Sequence, residues 1–159
     1  MDETYLKVAG AWQYLYRAID TDGNLVDVYL SATRDQAAVE AFFRSAVDVT
    51  GVIPETITTD KHAGYPPAFD EVFGDDVEHR TSKFKNNHLE QDHRGVKGRT
   101  RPMRGFQTHI SAHRFCRAHD EVRNFLRPAT RRNQHVPAAQ RRAIHAQRVA
   151  ALRDMLAIA

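Results

Sequence analysis

Trp12-Gln13-Tyr14-Leu15-Tyr16-Arg17-Ala18-Ile19-Asp20-Thr21-Asp22-Gly23-Asn24-Leu25-Val26-Asp27-Val28-Tyr29-Leu30-Ser31 is the stretch that decides the fold. Its first part is dense in aromatic side chains that favour strands. Its last part alternates, with Val26, Val28 and Leu30 on one side and Asp27, Tyr29 and Ser31 on the other. A period of two marks a half-buried strand. Asp22-Gly23 between them is a short hairpin signal, because tight hairpin turns need residues that tolerate positive φ. Upstream, residues 4–8 bring Tyr5, Leu6 and Val8, and Gly10-Ala11 reads as the turn that follows. Together these predict a three-stranded antiparallel meander.

The period then changes. Thr33 and Gln36 fit a capping box, and Ala38, Phe42, Ala46 and Val49 follow at helical spacing until Gly51. Pro54 leads into a strand over residues 55–59, which ends at Asp60. Pro66-Pro67 opens a helix through Phe73, Gly74-Asp75 breaks it, and residues 77–81 form a fifth strand. Residues from Asn86 to at least Lys97 are helical, and Pro102 and Gly105 mark a break. A helix over 108–126 carries Phe115, Ala118, His119, Val122 and Phe125 on its inner stripe. A basic linker over 127–136 precedes a last helix opened by Pro137. This order predicts an α/β protein: a mixed five-stranded sheet, an antiparallel meander plus parallel strands, flanked by helices, with further helices at the C-terminus. Residues 1–106 are expected to form the core and 107–159 a basic helical extension packed on it.

Charge divides the 159 residues. Residues 1–93 hold 8 Lys/Arg and 17 Asp/Glu, and residues 94–159 hold 15 Lys/Arg and 3 Asp/Glu. The net +3 therefore conceals a balance of −9 followed by +12, and the basic part suggests a polyanionic partner. No apolar run approaches the ~18 residues of a membrane span, and Met1-Asp2-Glu3-Thr4 is no signal peptide. The lone Cys116 excludes an internal disulfide and fits a reducing compartment.

Three acids stand where elements begin or end: Asp2 before the first strand, Asp60 after the fourth, and Glu90 in the helix after the fifth. Convergent carboxylates repel one another and call for a cation. All-oxygen ligands suit Mg²⁺, and two such ions can serve phosphodiester cleavage. Nearby Glu3, Asp20, Asp27 and Asp92 read as solvated-face residues. Glu90 is followed at offsets of three, four and seven by His93, Arg94 and Lys97, which places all four on one helix face. Arg94, Lys97, Arg99, Arg101 and Arg104 crowd eleven residues and are expected to contact phosphates. His109, His113, Cys116 and His119 are expected to pack rather than to bind zinc. Trp12, Tyr14 and Tyr16 are expected in the sheet core rather than stacked on bases.

In combination, these stretches resemble a known family. Asp2-Glu3-Thr4-Tyr5 with Trp12–Asp20 (Trp-Gln-Tyr-Leu-Tyr-Arg-Ala-Ile-Asp) resembles the opening of a DDE-type transposase catalytic core. Thr58-Thr59-Asp60-Lys61-His62 resembles its second acid motif. His79-Arg80-Thr81, Asn86-Asn87, Leu89-Glu90-Gln91-Asp92-His93-Arg94 and Arg101-Pro102-Met103-Arg104-Gly105-Phe106 resemble its third. The nearest match is the IS-six insertion-sequence family, in a form similar to haloarchaeal members. The resemblance implies an RNase H-like fold. It also implies metal binding and catalysis by Asp2, Asp60 and Glu90, with Mg²⁺ or Mn²⁺, two ions, as cofactor. Lys61, His93, Arg94, Lys97, Arg99, Arg101 and Arg104 are the expected DNA contacts. The implied activity is strand cleavage and strand transfer in DNA transposition. Its partners would be element ends, target DNA and further copies of the chain assembled on DNA, with no membrane and no small-molecule substrate. The expected location is the prokaryotic cytoplasm, on the nucleoid. Family members carry a helix-turn-helix region ahead of the first acid, whereas here that acid is residue 2, so the alternative expectation is a truncated, inactive remnant. Such a remnant would only bind DNA or another transposase subunit.

Overall fold

The two predicted turns of the meander form as hairpins, one of them shifted by a residue. The structure, a computed structural model, describes residues 1–157 apart from 61, 83–86, 130 and 132–133, and describes only the backbone of 87–92. Strands β1 (Asp2–Val8), β2 (Ala11–Ile19) and β3 (Leu25–Ser31) pair antiparallel in that order. The first turn is Ala9-Gly10 rather than Gly10-Ala11, and both residues have positive φ (49° and 83°). That geometry matches the twist of the flanking strands.

The alternation in β3 is interrupted. Ala18 pairs with Asp27 and Ile19 with Leu25, so Val26 has no residue opposite it. This bulge flips the side-chain pattern. Val28 and Leu30 enter one core, while Val26 joins Tyr29 against the other. Val26 therefore does not share a face with Val28 and Leu30 as the alternation predicts.

Helix α1 (Gln36–Thr50) starts two residues later than a cap at Thr33 would place it. Asp35 is the N-cap, and its carboxylate accepts from the Ala38 N–H at 2.9 Å. Aspartate is the stronger cap, so it displaces the expected capping box. Gly51 ends the helix at φ 65°, as the sequence predicts. Strand β4 (Thr56–Thr59) follows, then α2 (Tyr65–Phe73), a 3₁₀ turn at Gly74–Asp76 and strand β5 (Glu78–Thr81). β4 and β5 pair parallel.

Among the described residues there are five strands, but as two sheets, one of three strands and one of two. The Met1 nitrogen donates to the Thr58 carbonyl at 2.5 Å, which brings the start of β1 beside β4.

Helices cover both faces of the meander. On one face α1 and α2 bury Phe42, Phe43, Tyr65 and Phe69 against Tyr16 and Ala18 of β2 and Ile57 of β4. On the other, α3 (Asn87–Thr100) and α4 (His109–Leu126) bring Val96, Ala112 and Cys116 onto Leu6, Leu15, Val28 and Leu30. The inner stripe of α4 is Ala112, Cys116 and Asp120. The predicted stripe through Ala118, Val122 and Phe125 is exposed. The reason is Arg17, a fully buried cation on β2 that turns Asp120 inward. Between α3 and α4, the Phe106 N–H donates to the Lys7 carbonyl at 2.8 Å and the Ala9 N–H to the Phe106 carbonyl at 2.7 Å, docking this segment on the β1–β2 hairpin. Helix α5 (Ala138–Ala157) buries no residue. It is tied to the end of α4 by Arg148, which donates to the Phe125 carbonyl at 2.8 Å and the Arg127 carbonyl at 2.5 Å. No helix among the described residues is long and apolar enough to cross a membrane.

Candidate metal and nucleic-acid site

Asp2 opens β1 and Asp60 stands one residue past the end of β4. Because the start of β1 lies beside β4, the two carboxylates converge. With Glu3 they form a group in which one carboxylate oxygen from each lies within 4.8 Å of the others. Among the described residues this is the one group of three acidic, histidine or cysteine ligands so placed.

Asp2 is buried, 8% exposed. Its Oδ1 accepts from the Glu3 N–H at 2.9 Å. Burial, then the Asp60 charge and to a lesser degree the Glu3 charge, push its carboxyl up to about 7. Asp60 is oriented by its own loop: its Oδ1 accepts from the His62 N–H at 2.9 Å, and the Tyr65 N–H donates to the His62 carbonyl at 3.1 Å. That turn leads directly into α2. His62 also stands edge-on to the Tyr65 ring, with centroids 6.0 Å apart.

Glu3 is not the solvated acid the sequence suggests. Its side chain is 6% exposed and ion-paired with Arg34. Its Oε2 accepts from the Tyr65 hydroxyl at 3.2 Å. Burial, and then the charges of Glu3, Asp60 and Asp2, hold the Tyr65 hydroxyl protonated well above its ordinary range, so it stays a donor. Arg34 and Tyr65 escaped the sequence reading. The signals available were the position of Tyr65 directly before Pro66-Pro67 and of Arg34 directly before the α1 cap.

A cluster of carboxylates whose mutual repulsion raises a pKa gains from a cation. The donor set is oxygen only, which fits a hard divalent ion such as Mg²⁺ or Mn²⁺. Among the described residues, Asp2 and Asp60 are the members without a cationic side-chain partner, whereas Glu3 is held by Arg34. Glu90 lies on α3, but its side chain is outside the described residues, as is the whole of Lys61.

The basic residues separate into two groups. Arg94, Arg99, Arg101 and Arg104 are exposed. His93 is 6% exposed and is buried like Val96 and Thr100, so it does not share the solvent face of Arg94. The helix twist explains the difference: among the described side chains of α3 the buried ones sit at 93, 96 and 100. Lys97 is half-buried, with its Nζ 4.3 Å from the centre of the Tyr5 ring. Of the three aromatics expected in the core, Tyr16 is fully buried and Tyr14 partly so, but Trp12 is 59% exposed.

The family model described as a DDE domain, of the IS240 transposase type, matches residues 1–129. The chain belongs to this DDE transposase family. It is 39% identical over 104 residues to the transposase for insertion sequence-like element IS431mec of Staphylococcus aureus, covering 62% of this chain and 46% of that protein. The same identity and coverage hold for the transposase for insertion sequence element IS257 in transposon Tn4003, also from Staphylococcus aureus. A protein of Yersinia pseudotuberculosis described as uncharacterized protein pYV0051 is 37% identical over 67 residues, 41% of this chain and 63% of that one. The chain thus spans about half the length of the transposases it matches. In structure it is similar to a chain of the simian T-cell lymphotropic virus intasome, determined in complex with PP2A regulatory subunit B56 gamma, with a TM-score of 0.62 and 17% identity over 86% of this chain and 53% of that one. That likeness supports the RNase H-like α/β fold.

Proposed function

We propose that this chain is the catalytic domain of a transposase that cuts DNA and transfers the cut strand. The observation that carries the reading is the convergence of Asp2, at the start of β1, and Asp60, just past the end of β4, in a DDE-family domain. Asp2 and Asp60 would hold divalent metal together with Glu90 from α3. Bound there, Mg²⁺ or Mn²⁺, as a pair of ions, would supply charge stabilisation for the phosphate and a water of lowered pKa.

The remaining roles belong to the chain. The Asp60–His62 turn fixes one carboxylate, and the Tyr65 hydroxyl and Arg34 fix the Glu3 carboxylate at the edge of the same acidic group. Arg94, Lys97, Arg99, Arg101 and Arg104 would grip the DNA backbone, with Lys61 beside Asp60. Water adds to phosphorus as the 3′ oxygen leaves and takes a proton. The freed 3′-hydroxyl then attacks a second phosphodiester and displaces its 3′ oxygen. The substrate would be element ends and target DNA, and further copies of the chain would assemble on them, on the nucleoid. We also read the two sheets as one five-stranded sheet in the order β3-β2-β1-β4-β5, supported by the hydrogen bond from Met1 to Thr58.

The test is nicking of supercoiled DNA in Mn²⁺ by the protein and by its Asp60→Ala and Glu90→Ala variants. The reading expects nicking by the unaltered protein and its loss in both variants. Equal nicking by all three would overturn it. Salt-sensitive DNA retention with no nicking by any of them would instead identify a DNA-binding remnant.

A further inference from the structure

We propose that Tyr5 and Trp12 form a stacking platform for an unpaired nucleobase beside the acidic site, an inference that rests on DNA being the substrate. The two rings meet edge to face, 5.0 Å between centroids at 86°. They are 52% and 59% exposed, although the strands that carry them bury Leu6 and Leu15 on the other face of the sheet. Large apolar surface left open in this way marks a contact site.

The pair is braced rather than loose. Lys97 of α3 sits 4.3 Å over the Tyr5 ring. Lys7 lies directly across the hairpin from Trp12. The Arg101–Arg104 turn is pinned to Lys7 through Gly105 and Phe106. Tyr5, Trp12, Lys7, Lys97, Arg101 and Arg104 line one open pocket of about 360 Å³, and among the described residues no Asp or Glu lines it. Aromatic faces accept any base, and the surrounding cations accept phosphates, which is the composition of single-strand binding surfaces. A duplex keeps its bases stacked inside, so the ligand is a nucleotide that has left the stack.

The position ties the platform to the chemistry. Tyr5 is two residues beyond Glu3 on the same face of β1, a separation of about 7 Å along a strand. A base held there belongs to a nucleotide close to the phosphate that the acidic cluster addresses. The competing explanation is a cross-strand aromatic pair that only stabilises the hairpin.

Trp12 is the one tryptophan in the chain, so its emission reports on the platform alone. The full chain, in the absence of divalent metal, is titrated with an oligothymidylate and with an abasic strand of equal length and charge. The proposal expects saturable quenching by the first and little by the second. Trp12→Ala should weaken binding of the base-bearing strand about tenfold, as loss of one stacked base does. Trp12→Phe should recover most of that binding. The salt dependence should be the same in all three proteins, because it counts phosphate contacts. Equal quenching and affinity for the abasic strand would overturn the proposal, and this comparison needs no variant to fold. Trp12-dependent self-association without any base effect would also overturn it, by showing that a second copy covers the rings. Nicking activity with an unresponsive Trp12 would sink the platform alone. Quenching without nicking under any condition would sink the catalytic reading alone.

Discussion

Arg17 is fully buried on β2, and its charge is answered by Asp120 on α4, 103 residues away, through bonds of 2.5 and 3.3 Å. Asp120 also meets His119 Nδ1 at 3.1 Å. Removing one partner of such a pair leaves the other charged and without water. Arg17→Met should therefore lower stability by about 3–5 kcal/mol, read from urea unfolding. Replacing both, with Arg17→Met and Asp120→Leu, should restore most of it. Equal losses in the single and double variants would contradict this account of the pair. His93 lies in the same interior. Burial, then the charges of Arg17 and Lys97, depress its pKa from 6.5 to about 3, so it is neutral in the fold. The unfolded chain takes up the proton first. The contribution is thus complete above about pH 6.5 and is lost as pH falls from there towards 3. His93→Gln should flatten the pH dependence of the unfolding midpoint across that window, and an unchanged slope would contradict the assignment. None of this was legible locally. An arginine in a strand and a histidine on a basic helix both read as surface residues until the partner on α4 is in place.

Elements were legible where one signal dominated. Positive-φ residues set the hairpins, Gly51 ended α1, and Pro66-Pro67 opened α2. Misreadings arose where two acceptable local answers competed. Thr33 and Asp35 could both cap α1, and the aspartate did. Two stripes of α4 could face inward, and the one carrying Asp120 won because Arg17 needed a partner. The bulge at Val26 left no trace in the alternation that defined the strand. Gly105 shows how tightly elements are then coupled. It sits at φ 97°, and a Cβ there would lie 2.6 Å from the Lys7 carbonyl oxygen. Gly105→Ala combines an unfavourable backbone conformation with that overlap, so it should cost about 1–3 kcal/mol. Thermal unfolding checks the loss, and amide exchange at Phe106 and Ala9 should rise with it. Unchanged protection at both amides would mean that the turn tolerates a side chain.

Across the whole molecule, the change of sign from −9 to +12 marks a boundary between an acidic sheet edge and the basic helix and turn beside it. Asp2 and Asp60 were legible because each stands at a strand end, and strand ends meet where neighbouring strands lie side by side. Glu3 was not, because its partners Arg34, just ahead of α1, and Tyr65, at the start of α2, approach it only in three dimensions. Asp2 and Asp60 are proposed to make a divalent-cation site together. Titration with Mn²⁺, followed by the electron paramagnetic resonance signal of the free ion, tests it directly. The unaltered protein should remove Mn²⁺ from solution, and Asp2→Asn and Asp60→Asn should each weaken that binding by about tenfold or more. Indistinguishable binding curves for the three proteins, or no binding by the unaltered chain, would contradict it.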